Sequence, residues 1–222
     1  MINDNDLFLL ASSQNNGTYK VYIDSNGYKT LTPQTRNYTA KYREPYISNH
    51  EYSVGLLYDI TSKKEVIFPN CSEATGAIGY GAFEFAFWRC PSLTSVSFPS
   101  LTTASGDSSG SSSSADGAFE RAFAFCTSLT SVSFPSLTTA IGSSGSRVTY
   151  GVFERAFEDC TSLTSVSFPS LTSVGSNSFN TAFSNCSSSL KVHFKKSMKG
   201  TAGLDYKTMA LTSEDQVVFD LP

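Results

Sequence analysis

The chain has 222 residues, 16 basic against 19 acidic side chains and a formal net charge of −3, so it carries no basic field of the kind that marks a nucleic-acid partner. No stretch approaches the roughly 18 unbroken apolar residues of a membrane span, which argues against insertion into a bilayer. Met1 leads into Ile2-Asn3-Asp4-Asn5-Asp6, without the basic start or apolar run of a secretory signal, so the chain as written is not expected to be addressed for export.

Residues 1–65 have their own texture. Leu7–Leu10 runs into Gln14-Asn15-Asn16-Gly17, then Thr18–Ile23, then Ser25-Asn26-Gly27 and Tyr28–Leu31. Two Asn-Gly turns between short apolar runs predict a three-stranded meander. Eight of the 11 tyrosines fall here. Tyrosine buries its ring at interfaces while its hydroxyl still finds a partner, so Tyr38, Tyr42, Tyr46 and Tyr52 are candidate docking residues. Packing of the same rings on the first repeat, as a cap, is the structural alternative.

From Val66 onward the chain repeats itself. The string CxSLTSVSFPSLT occurs at Cys90–Thr102, Cys126–Thr138 and Cys160–Thr172. Each copy follows a phenylalanine pair spaced by four: Phe83/Phe87, Phe119/Phe123 and Phe153/Phe157. An eroded fourth copy has Phe179/Phe183, Cys186, Leu190, Val192 and Phe194. Such a period marks a solenoid whose coils bury their apolar edges against one another.

Within one coil, Leu129, Val132 and Phe134 predict a short strand with Val132 and Phe134 on one face and Ser131 and Ser133 on the other. Pro135 ends it by withholding a ladder donor. The spacing of Phe153 and Phe157 predicts a short helix with both rings inward and Glu154 and Arg155 exposed. The order is strand, turn, short helix, strand. Cys90, Cys126, Cys160 and Cys186 recur at one repeat position and Cys71 occupies a leucine position, so all five are read as reduced core residues. No CxxC pair exists to favour a metal site.

The repeat length varies: 30 residues from Phe68 to Phe98, 36 to Phe134, 34 to Phe168 and 26 to Phe194. The excess lies in Thr75–Gly81, Ser105–Gly117 and Gly142–Gly151, between the turn that closes the strand and the next phenylalanine pair. Insertions at one repeat position emerge along one edge and build a composite surface there. Candidate binding residues are therefore Ser105, Asp107, Ser109, Ser112, Asp116, Ser143, Ser146, Arg147 and Tyr150; tolerated surface insertion is the plainer reading. The outward serines, Ser95/Ser97, Ser131/Ser133 and Ser165/Ser167, form a neutral hydroxyl face, with ice binding as a minor alternative.

At the far end, Lys195, Lys196 and Lys199 follow the last coil, Leu204–Leu211 predicts a short helix, and Gln216–Leu221 predicts a terminal strand that covers the open sheet edge. The domain reading is 1–65 as a β-rich docking or capping module, 66–194 as the solenoid and 195–222 as a C-terminal cap. Catalysis is not expected: His50 and His193 lie in different modules, and the nine charged residues between Cys90 and Leu190 form no convergent set. No catalytic residue, cofactor or metal is assigned.

The combined AFxxCxSL and VxFP elements resemble the BspA-like leucine-rich repeat family over about Val66 to Phe194. The resemblance implies an α/β solenoid with a parallel sheet, preceded here by the small β-rich module, and a role in surface adhesion or protein interaction. The repeat departs from the family in two ways: the usual apolar-Gly before the helix is disrupted, and the repeat length varies. Asn5-Asp6-Leu7-Phe8-Leu9-Leu10 followed by Thr18-Tyr19-Lys20-Val21 is similar to the short opening module of marine bacteriophage tail and fibre proteins, over residues 3–23. Together these imply a virion attachment or decoration protein, oligomeric on the particle. Its partners would be other virion proteins through residues 1–65, and a host-surface glycan or protein. A bacterial cell-surface adhesion module is the alternative.

Overall fold

The computed structural model describes residues 83–106, 117–142 and 150–222, together with the strand segments 7–9, 18–23, 29–34, 65–67 and 73–75. Seven strands form one sheet: β1 (Leu7–Leu9), β4 (Glu65–Ile67), β6 (Ser95–Ser97), β8 (Ser131–Ser133), β10 (Ser165–Phe168), β12 (Lys191–Lys195) and β13 (Val217–Leu221), side by side in that order. Every pairing in it is parallel. Its register places each coil's valine beside the next, as Val96, Val132, Val166, Val192 and Val217. A stack of coils of similar length produces this arrangement, since each strand is one turn of the chain above the last.

A second parallel sheet, β5 (Glu73–Thr75), β7 (Thr103–Ser105), β9 (Thr139–Ile141) and β11 (Ser173–Val174), follows each Phe-Pro turn. Sequence patterning missed it because each strand has only one inward residue: Ala74, Ala104, Ala140 or the partly buried Val174. Alternation cannot be seen in so short a run.

The predicted short helix does not form; among the described residues there is no α-helix. Residues 83–90 and their equivalents form a ribbon of tight turns. The N–H groups of Phe83, Phe85, Phe87 and Arg89 donate to Ala118, Glu120, Ala122 and Ala124 of the next coil at 2.7–3.0 Å. Those of Ala86, Trp88 and Cys90 donate back three residues within their own coil. An α-helix would use all of these donors internally and leave the coils unlinked.

The geometry requires left-handed backbone at Phe85, Arg89, Arg121, Phe125, Arg155, Asp159, Thr181 and Asn185, with φ between 49° and 63°. Left-handed backbone costs about 1–2 kcal/mol per non-glycine residue. Inter-coil hydrogen bonds at about 1 kcal/mol each, with ring stacking, offset it. Two turns span four residues, so Phe153 and Phe157 share the inner face here as they would in a helix. Their spacing cannot distinguish the two.

Three phenylalanine ladders fill the core. Phe98, Phe134, Phe168 and Phe194 stack at 5.3–5.7 Å. Phe83, Phe119, Phe153 and Phe179 stack at 5.0–5.3 Å. Phe87, Phe123, Phe157 and Phe183 do so at 5.0–5.3 Å. The first ladder meets the second edge-on, as in Phe83 with Phe98 at 5.2 Å.

Two further expectations change. The N-terminal three-stranded meander is not formed: β2 (Thr18–Ile23) and β3 (Lys29–Gln34) make the hairpin expected around Asn26-Gly27, but β1 leaves it and pairs in parallel with β4. An apolar Leu-Phe-Leu segment there covers the sheet's first edge, which a bare parallel stack would leave open. The predicted helix over Leu204–Leu211 is likewise a run of turns, whereas the terminal strand forms as β13 in register with β12.

Candidate functional site

Two of the three insertions can be followed to their roots. Gly142 and Tyr150 close the neck of one: a Cβ added at Gly142 would lie 3.0 Å from the Tyr150 carbonyl oxygen. Gly117, at the end of the middle insertion, lies directly over Gly151, at the end of the next. A Cβ at Gly117 would collide with the Gly151 carbonyl oxygen, and one at Gly151 with that of Asn177. On the other side, Gly106 N–H donates to Ile141 O at 3.0 Å and Gly175 N–H to Ala140 O at 2.9 Å. The insertions therefore leave and return one above another. Half-buried Ser105 ends β7 at one root, and half-buried Tyr150 stands at the other. Asp107, Ser109, Ser112, Asp116, Ser143, Ser146, Arg147 and the docking tyrosines 38, 42, 46 and 52 lie outside the described residues, as does Cys71.

The turn ribbon carries a feature that sequence reading missed. On its outer side, exposed Arg89 stacks over Trp88 at 4.3 Å and reaches Phe125 at 5.5 Å. Arg121 lies over Phe85 at 5.5 Å, with the Glu120 carboxylate 3.8 Å away. Guanidinium on an aromatic face is a favourable cation–π arrangement that keeps the donor fork outward. The equivalent positions in the third coil are Arg155, Glu158 and Asp159, so the two ends of the ribbon differ in chemistry. Aligning Phe85, Trp88 and Arg89 with Arg155, Glu158 and Asp159 shows the substitution in the sequence. Its meaning is hidden while the segment is taken for a helix.

The glutamates correct another expectation. Arg155 is exposed, but Glu84 and Glu120 are buried and Glu154 is half-buried. Gly151 N–H donates to Glu154 Oε2 at 3.1 Å, so this carboxylate folds back onto its own turn instead of facing solvent.

The outward serines of the main sheet are half-buried or exposed, and flanking hydroxyls link the coils. Thr130 Oγ1 donates to Thr94 O at 3.0 Å, Ser136 Oγ to Pro99 O at 2.6 Å and Ser170 Oγ to Pro135 O at 2.6 Å. Down the cysteine column, Cys126, Cys160 and Cys186 Sγ donate to carbonyls of the preceding coil at 2.9, 3.0 and 3.1 Å. Burial pushes the Cys160 thiol well up and Cys186 to about 12. Together with buried Cys90, these are free thiols, as expected of core residues. Among the described residues no three of His, Cys, Asp and Glu converge as a metal site. No helix among them is long and apolar enough to cross a membrane.

The BspA type leucine rich repeat region family matches residues 119–145 and 148–201, in six copies. Over those residues the chain is similar to that family, and the parallel sheets with almost no helix fit a leucine-rich-repeat stack. No curated protein and no solved structure matches the chain.

Proposed function

We propose that this chain is a non-enzymatic recognition module, in which the rigid stack presents the insertions 107–116 and 143–149 as one contact surface. The superposition of their roots, Gly117 over Gly151, carries the reading. Two insertions rooted at the same edge of a rigid ladder can engage one ligand. Similarity to the BspA-type repeats supports an interaction or adhesion role.

The test is to replace 107–116 and 143–149 with short Gly-Ser connections and measure retention on a glycan array and on bacterial envelope preparations. Circular dichroism should remain unchanged while retention is lost. Unaltered retention by the shortened chain would sink the proposal.

The finer reading places the chain on a bacteriophage particle, with residues 1–65 as the attachment module. The likeness of residues 3–23 to phage structural proteins favours it. Quantitative mass spectrometry of purified particles and of cell envelopes decides between this and a cell-surface adhesion role. Co-purification with virions supports the first, and recovery only in envelopes refutes it.

A further inference from the structure

The stack brings together cysteines that the sequence scatters over separate coils. Cys160 Sγ donates to Phe123 O at 3.0 Å and Cys186 Sγ to Phe157 O at 3.1 Å. Phe157 O also accepts the Cys160 backbone N–H at 3.1 Å, so the Cys186 sulfur lies against the Cys160 turn. Three residues before each cysteine, Phe157 and Phe183 stack at 5.0 Å, which gives the spacing of the two coils at this point. Both thiols are free; Cys160 is fully buried, whereas Cys186 is half-buried and opens the column to solvent. Asp159 Oδ2 accepts from Asn185 Nδ2 at 3.5 Å, which places a carboxylate beside both cysteines in the chain. The Cys126–Cys160 pair repeats the arrangement but is closed to solvent, since both residues are fully buried.

We propose that Cys160 and Cys186 form a two-coordinate site for a soft divalent cation of the mercuric class, held as a linear bridge between the sulfurs of adjacent coils. Thiol donors select soft metals over magnesium and calcium. Zinc takes four ligands in a structural site, whereas this pair offers two, and among the described residues no three of His, Cys, Asp and Glu converge. Two metal–sulfur bonds of about 2.3 Å, the length found at zinc, span about 4.6 Å, within reach of a 5.0 Å coil spacing. Binding exchanges two S–H bonds for two metal–sulfur bonds and releases two protons, so a divalent ion leaves a neutral bridge. A univalent ion would leave a negative charge in the core, where burial already holds both thiols in their neutral form. The Asp159 carboxylate attracts a cation toward Cys186, the accessible partner. The inference is independent of the loop surface.

The probe is mercuric chloride, titrated into the full chain carrying Cys71→Ala so that only the thiols of the column respond. Ultraviolet absorption of the thiolate–metal bond should saturate at one equivalent, with two protons released per metal and an unchanged far-ultraviolet circular dichroism spectrum. Cys186→Ala should abolish the saturable step and leave the fold intact, whereas Cys90→Ala should titrate as the parent does. Zinc chloride should give no saturable step. The loop-shortened chain should titrate as the parent does, so failure of either proposal leaves the other standing. Release of one proton per metal would overturn the bridge, because it marks attachment to a single thiol. Saturation that survives Cys186→Ala, or that is reached only as the circular dichroism signal is lost, would overturn it as well. Zinc binding that Cys186→Ala removes would do the same, by showing a site of higher coordination.

Discussion

Phe134 is the sharpest test of how this stack is held together. The ring is fully buried, stacks on Phe98 at 5.3 Å and Phe168 at 5.7 Å, and meets Phe119 and Phe153 at 5.5 and 5.3 Å. Phe134→Ala removes the transfer energy and leaves a cavity that the ladders above and below hold open, about 3–5 kcal/mol. Four ring contacts, at about 0.5–1.5 kcal/mol for each aromatic pair, place it at the upper end of that range. Phe219→Ala, at the ladder's half-exposed end with one tilted neighbour, should cost roughly 1–2 kcal/mol. The contrast of about 3 kcal/mol matters more than either value. Urea unfolding followed by far-ultraviolet circular dichroism measures both. The fluorescence of Trp88, the chain's single tryptophan, reports the first coil in the same samples. Equal destabilisation by the two substitutions would refute the ladder as the source of stability, and would move it to the backbone bonds between coils.

Gly151→Ala should cost about 3 kcal/mol or more, because the new methyl meets the fixed Asn177 carbonyl; Gly200→Ala, with φ of +87° but open space, should cost about 1 kcal/mol in the same urea assay. Gln216 should be as intolerant: its buried side chain accepts from Thr212 and Ser213 and donates to Ser187 O and Leu190 O, so Gln216→Ala should lower stability by about 2–4 kcal/mol. Native thiols 90, 126 and 160 should resist alkylation until the chain unfolds. Because burial raises the folded Cys186 above its unfolded value of 9.0, the stabilising contribution is complete below pH 9 and is lost as pH rises toward 12. At pH 10 that thiol alone should account for about 1.4 kcal/mol, and Cys186→Ala should flatten the decline of the urea midpoint with pH.

The features that repeat were legible in the sequence, and those that depend on backbone conformation were not. Val132 and Phe134 announced the main sheet, and Val217 with Phe219 announced its last strand, because alternation survives even in three residues when every coil repeats it. The cysteine column was legible for the same reason. The turn ribbon was not. Ala-Phe-Glu-Arg-Ala-Phe has good helix formers and the right spacing, and only the inter-coil bonds reveal why left-handed Arg155 and Asp159 win over a helix. Because the helix was assumed, Glu154 was read as exposed and the Arg89–Trp88 stack went unnoticed. The N-terminal strand was assigned to the wrong neighbour: Asn16-Gly17 is a local hairpin signal, and nothing local shows that Leu7–Leu9 adds to the edge of a sheet whose next strand begins at Glu65.

Stacking also constrains where function can reside. Equivalent residues of adjacent coils sit about 4.8 Å apart, so a charge repeated in every coil would face its own like at close range. The outward sheet positions in the central coils are accordingly serine, and flanking threonine and serine hydroxyls donate to the coil beneath. On the outer ribbon two positions change from coil to coil, Arg89/Phe125/Asp159 and Trp88/Ala124/Glu158, whereas Glu84, Glu120 and Glu154 share one column and Arg121 is followed by Arg155. The sheet departs from serine towards both ends: Glu65 and Ile67 stand in register with Ser95 and Ser97, and in the last strands Lys191 donates to Asp215 O at 2.8 Å and His193 is bonded to Asp220 at 3.0 Å. A chemically distinctive surface on such a stack is therefore favoured where segments leave it or where the repeated pattern changes. In this chain those are the segments rooted at Gly117 and Gly151 and the strand Lys191–Lys195, where Lys191 and His193 stand in register with Ser165 and Ser167.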